Sequence, residues 1–143
     1  MSAERSHAML RTAFGPEVAK LLEDPDIVEV MLNPDGRLWG DRLGQGRFDT
    51  GTTISPEAAE NAIRIVASQT RSPVSHDRPL LAAELPDGER FQGLLPPIVA
   101  RASFTIRKHA SRVITIDEFV ATGVMTQVQA TQLREAVASR KNI

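Results

Sequence analysis

The chain has 143 residues, 41% of them hydrophobic and 24% charged, with a formal net charge of −1. That is the balance of an ordinary soluble globular protein, long enough for one domain with an appendage and a real core. The absence of cysteine excludes disulfides, cysteine-ligated zinc and thiol catalysis, and one Trp, five Phe and no Tyr at near-neutral charge weigh against a nucleic-acid-binding module.

No apolar run is long enough to span a bilayer, and the opening MSAERSHAML lacks the apolar core of a signal peptide. A cytosolic location is expected. Residues 3–23 read as helical, with Leu10, Ala13 and Phe14, then Val18, Leu21 and Leu22, at helical spacing. Gly15-Pro16 predicts a kink or two short helices. Ile27–Leu32 is a β-branched, apolar strand, and Asn33-Pro34-Asp35-Gly36 is a turn. Arg37–Leu43 returns antiparallel, and Arg47–Asp49 follows a turn at Gly44-Gln45-Gly46 as a third short strand. Ser55-Pro56 opens a helix, Ser55 as N-cap and Pro56 in the first position, with Ala59, Ala62, Ile63 and Val66 on its buried face.

Pro79–Lys108 then reads as three strands and two turns. Leu80–Leu85 is apolar, and Pro86-Asp87-Gly88 is a turn in which glycine can take positive φ. Arg90–Leu95 alternates, with Phe91, Gly93 and Leu95 on one face and Arg90, Gln92 and Leu94 on the other. Pro96-Pro97 ends that strand. Ser103–Lys108 alternates likewise, with Phe104 and Ile106 opposite Ser103, Thr105 and Arg107. If the aromatic residues face the core, Arg90 and Arg107 face out beside Gln92, an arrangement of donor forks suited to an oxyanion such as phosphate. The bland alternative is that these arginines only solubilise a sheet.

Residues 109–115 read as a linker. Thr115-Ile116-Asp117-Glu118 and Thr126-Gln127-Val128-Gln129 are capping boxes that start two helices. The second has a weak apolar face of Val128, Leu133, Ala136 and Val137, and Ile143 reads as the start of a further element. The pattern is α+β: a twisted, mainly antiparallel sheet of about six strands flanked by helices, then a linker and two C-terminal helices.

Ser75-His76-Asp77 are sequence neighbours, whereas a catalytic triad is a spatial relay, so a polar loop is expected. His7, His76 and His109 have no metal-ligand spacing. Gly44-x-Gly46 is a hairpin turn and not a dinucleotide fingerprint, and no G-x-x-x-x-G-K-[S/T] occurs anywhere.

The run PLLAAELPDGERFQGLLPPIVARASFTIRK resembles the N-terminal domain of type IV secretion ATPases, the VirB11-like proteins, and within them the TrbB-like conjugal transfer branch. IVEVMLNPDGRLW, SFTIRKHA and TIDEFVATGVMT stand in the same order and extend the resemblance from about Leu21 to Ile143. The resemblance implies a two-domain hexameric ATPase whose N-terminal domain forms a ring and covers nucleotide held by a RecA-like domain. By that match, residues 1–108 are the N-terminal domain, 109–115 a linker and 116–143 the opening helices of a truncated ATPase domain. Arg90 and Arg107 are implied to contact nucleotide phosphates, with Arg101 a weaker match. No catalytic or metal-binding residue is expected in this fragment. ATP and Mg²⁺ are implied for the full-length protein, none held by this chain alone, which is expected to be inactive by itself because phosphoryl transfer needs the P-loop. The implied partners are its own C-terminal domain, further copies in a hexamer and the conjugation machinery, with no specific nucleic-acid contact. The implied location is cytoplasmic, peripheral to the inner membrane. The competing reading is an α+β protein–protein interaction domain whose arginines pair with a neighbour's carboxylates.

Overall fold

Gly15 and Pro16 split the first helical stretch. Helix α1 (Ala3–Phe14) stops where Gly15 takes φ 82°, and α2 (Pro16–Glu23) starts on the proline, whose missing N–H has no partner to lose in a first turn. The computed structural model describes residues 3–109 and 113–142, and of residues 3–7 only the backbone.

Two three-stranded meanders follow. The first is β1 (Ile27–Leu32), β2 (Arg37–Arg42) and β3 (Gly46–Thr53). After helix α3 (Pro56–Thr70) comes the second, β4 (Leu80–Glu84), β5 (Arg90–Leu94) and β6 (Ser103–Arg107). They join through β1 and β6, giving one six-stranded sheet of order β3-β2-β1-β6-β5-β4 with every neighbour antiparallel. This is the expected α+β arrangement. One strand is longer than its sequence suggests: β3 runs through Asp49 to Thr53, held by its ladder to β2.

One face of the sheet is covered by helices. Alternation puts Val30, Leu38, Phe91, Phe104 and Ile106 on it, each 2% exposed or less. Helix α3, capped by Ser55 Oγ accepting from the Ala58 N–H at 3.2 Å, lays Ala59, Ala62, Ile63 and Val66 against it. Phe14 of α1 meets Phe91 and Phe104 at ring-centroid distances of 5.7 and 5.3 Å, and those two rings lie 5.8 Å apart. Gly93 lets Ile63 close onto the sheet: an added Cβ would sit 3.0 Å from both its Cγ1 and Cγ2.

Asp24 ties the ends of four elements together. Its carboxylate accepts from the Asp26 N–H at 2.9 Å and from Arg42 at 2.8 Å, and its carbonyl accepts from Lys108 Nζ at 2.6 Å. The Asp26 N–H, and then Arg42, hold the Asp24 pKa below its ordinary value. A depressed carboxylate pKa stabilises the fold above the unfolded value and loses that contribution as pH falls through the folded one. Asp24→Asn is therefore expected to be less stable than the wild type in urea at pH 7, with the gap shrinking once pH drops below 3.8. An equal gap at both pH values would show that ionised Asp24 does not stabilise the fold.

Contacts divide the chain into two compact units, Met1–Ser111 and Arg112–Ile143. The linker expected over 109–115 falls partly on residues 110–112, outside those described, as does Ile143. In the second unit, helices α4 (Ile116–Ala121) and α5 (Gln127–Ala138) both start with complete capping boxes, at Thr115/Glu118 and Thr126/Gln129. Arg134 of α5 reaches Asp117 of α4 at 2.7 Å. The buried residue of α5 is Ala130, whereas Val128 and Val137, expected on its apolar face, are 67% and 62% exposed.

Candidate functional site

The face of the sheet turned away from α1, α2 and α3 carries the charge. Turn Pro86-Asp87-Gly88 delivers the chain into β5 with Arg90 as its first residue, and β6 ends on Arg107. Antiparallel register sets the two directly opposite each other. Both are exposed, as alternation predicted once Phe91 and Ile106 were turned inward. Like charges opposed across a strand pair are destabilising. Glu29 is the other cross-strand neighbour of Arg107, and Glu84 that of Arg90. Yet among the described residues neither guanidinium has a hydrogen-bonded or ion-paired carboxylate. Two adjacent, unneutralised donor forks on a rigid sheet have the geometry to share one oxyanion.

The arginines line an open groove of roughly 640 Å³ together with Val28, Glu29, Lys108 and His109, and with Asp41 and Arg47 beyond. Lys108 adds a third cation at the rim. Burial lowers its pKa, partly offset by the Asp24 and Glu89 carboxylates. His109 rests on the β4–β5 turn: Gly88 takes φ 87°, and a Cβ there would lie 2.8 Å from His109 Nε2. The concavities on the helical side differ in kind. One of about 140 Å³ beside Leu10, Phe14, Leu22 and Leu85 is mainly apolar, and another of about 360 Å³ lies at Gly15-Pro16.

Arg101 is placed elsewhere. It lies in the loop before Ser103, at the far end of β6, about 13 Å of strand from Arg107 at about 3.3 Å per residue, and it does not line the groove. It is a minor influence on Glu57 at the start of α3, whose carboxyl is held low mainly by its own N–H and by Ser55. His76 and Asp77 stand 3.9 Å apart in a turn closed by Ser75 and Arg78, with side chains 81% and 98% exposed, a polar loop. Glu29, Asp41, Arg47, Lys108 and His109 were not singled out from sequence as groove residues. Lys108 directly follows Arg107, a local signal that alternation past the strand end obscured, while the others enter only through strand order.

No protein-family model matches the chain. It is 47% identical over 148 aligned positions to a probable conjugal transfer protein TrbB of Sinorhizobium fredii, covering 100% of this chain and 45% of that protein. It is 27% identical to the type IV secretion system protein VirB11 of Bartonella quintana, covering 90% of this chain and 37% of the relative. Its fold superposes on the crystal structure of the VirB11 ATPase of the Brucella suis type IV secretion system in complex with sulphate, with a TM-score of 0.70 at 27% identity over 89% of this chain and 38% of the other. The chain thus spans less than half the length of these relatives. Among the described residues, no helix is long and apolar enough to cross a membrane.

Proposed function

Because the chain belongs to the family of TrbB-like and VirB11-like type IV secretion proteins, we propose that it is the N-terminal, nucleotide-covering and ring-forming domain of a hexameric ATPase that powers conjugative DNA transfer. The observation that carries this reading is the register pair Arg90 and Arg107, opposed on an open sheet face with no carboxylate partner among the described residues. The residues present fit phosphate. Among the described residues there is no group of three or more His, Asp or Glu that could hold a metal. Mg²⁺ and the β-phosphate then belong to a P-loop domain in a longer protein, together with phosphoryl transfer itself.

The part taken by this chain is electrostatic. Arg90 and Arg107 close over the phosphates as a cationic lid, orient them and neutralise charge that builds during transfer. Sheet residues suit that task, since a strand holds a guanidinium stem more firmly than a loop does. Residues 116–143 open the ATPase domain, and the domain acts at the cytoplasmic side of the inner membrane with other components of the secretion machinery.

Arginine-selective modification read by mass spectrometry tests the lid. In the longer protein, an ATP analogue with Mg²⁺ is expected to slow modification of Arg90 and Arg107 while leaving the exposed Arg78 unchanged. If the two arginines stay as reactive as without nucleotide, they are not the lid.

A further inference from the structure

Arg107 is the last residue of β6, and a strand end is where a ladder opens most readily. Arg107 also stands opposite Arg90, and like charges opposed across a strand pair push the strands apart. Something must therefore hold this end of β6 in place. Ile106, on one side of Arg107, is buried in the core. Lys108, on the other side, lies past the strand end. Its N–H nevertheless donates to the Val28 carbonyl at 2.9 Å, one step beyond the pairing of Glu29 with Arg107.

Alternation turns the Lys108 side chain to the opposite side of the sheet from Arg107. There its ammonium donates to the Asp24 carbonyl at 2.6 Å, between residues 84 apart in the chain. Asp24 is the C-cap of α2, where unfilled carbonyls and the helix dipole both favour a cation. The acceptor is itself fixed. The Asp24 carboxylate accepts from the Asp26 N–H and from Arg42, the last residue of β2. The Asp24 carbonyl also accepts from the Ile27 N–H at 3.2 Å, where β1 begins. Lys108 is thus anchored on a node shared by α2, β1 and β2. Although the residue lines the groove, its half-buried ammonium is committed away from the arginines.

We propose that Lys108 is a positioning residue: the bond from its ammonium to the Asp24 carbonyl clamps the end of β6 onto β1 and so holds Arg107 in register with Arg90. A guanidinium on a long stem is only as well placed as the backbone that carries it. Without the clamp, the mutual repulsion of the two arginines frays the strand end and Arg107 leaves the groove. The effect of Lys108 on turnover rests on the nucleotide reading, whereas its effect on the strand does not.

Lys108→Met keeps the apolar stem and removes the donor. Hydrogen exchange read by NMR on the 143-residue chain, with no nucleotide, is the first measurement. The amide at position 108 is expected to exchange at least about tenfold faster than in the wild type. The Leu95 amide, bonded to the Pro79 carbonyl at 2.8 Å at the opposite end of β5, should be unchanged. Equal exchange at position 108 in both proteins, or an equal rise at both amides, would overturn the clamp. The second measurement is turnover in the longer protein. Lys108→Met should lower kcat by about ten- to hundredfold, the scale of a small misplacement. Added to Arg107→Ala it should cost less than about threefold, because no guanidinium is left to place. Losses that multiply, or full turnover in Lys108→Met, would overturn the positioning role. If Arg107→Ala alone keeps full turnover, the nucleotide reading fails and the positioning role with it, and the exchange result still decides the clamp. Should Lys108→Met fail to fold by circular dichroism, Lys108→Gln, one bond too short to reach the carbonyl, replaces it in both measurements.

Discussion

Arg90→Ala and Arg107→Ala, introduced singly into the longer protein, are each expected to lower nucleotide turnover by about 10²- to 10³-fold, the range lost with one preorganised donor to a developing anion. The two should not multiply. Side chains in register on one groove share a single ligand, and groups that act as a unit are non-additive, so the double variant should fall well short of the product of the singles. Arg→Lys should recover only part of the loss, because lysine restores the charge without the planar fork. Stability should move the other way. Both side chains are exposed and opposed to a like charge, so either alanine should leave unfolding free energy within about 0.5 kcal/mol of the wild type or raise it. A large loss of turnover in a variant that also melts early would instead indicate damage to the sheet.

Phe104→Ala is expected to have the largest effect on stability, about 3–5 kcal/mol as read by urea unfolding, the usual range for emptying a buried aromatic site. Phe104 is 2% exposed, touches both Phe14 and Phe91, and sits on a central strand. Removing it opens a cavity where helix α1 meets both β5 and β6, and Ile63 is already seated on Gly93 beside it, so there is little room for collapse. Against the about 5–15 kcal/mol typical of a domain, such a loss leaves the fold marginal. A cost below about 1 kcal/mol would show that the aromatic cluster does not anchor the helices to the sheet.

Local signals in this sequence were readable because their physics is local. Ser55, Thr115 and Thr126 each accept from an N–H three residues on, as their spacing to Ala58, Glu118 and Gln129 required. The outward direction of Arg90 and Arg107 followed from strand periodicity, since Phe91, Phe104 and Ile106 had one apolar face to fill. Strand β3 was underestimated because GRFDTGTT, with two glycines on an edge strand, offers almost no apolar alternation; its pairing with β2 supplies what its composition does not. In α5 the two exposed valines were grouped with Leu133 and Ala136 by hydrophobicity, but the turn of the helix buries Ala130. That Glu29, Asp41 and Arg47 share a groove with Arg90 and Arg107 was not visible at all. It needs β1 beside β6, a pairing between distant segments that no local pattern encodes.

Arg90 and Arg107 are proposed to form half of a nucleotide site. A high-resolution structure of the longer protein with a non-hydrolysable ATP analogue and Mg²⁺ tests it most directly. The expected result has guanidinium nitrogens of both arginines about 2.7–2.9 Å from phosphate oxygens. Nucleotide bound with both arginines turned to carboxylates of another subunit, and no phosphate within reach, would contradict it.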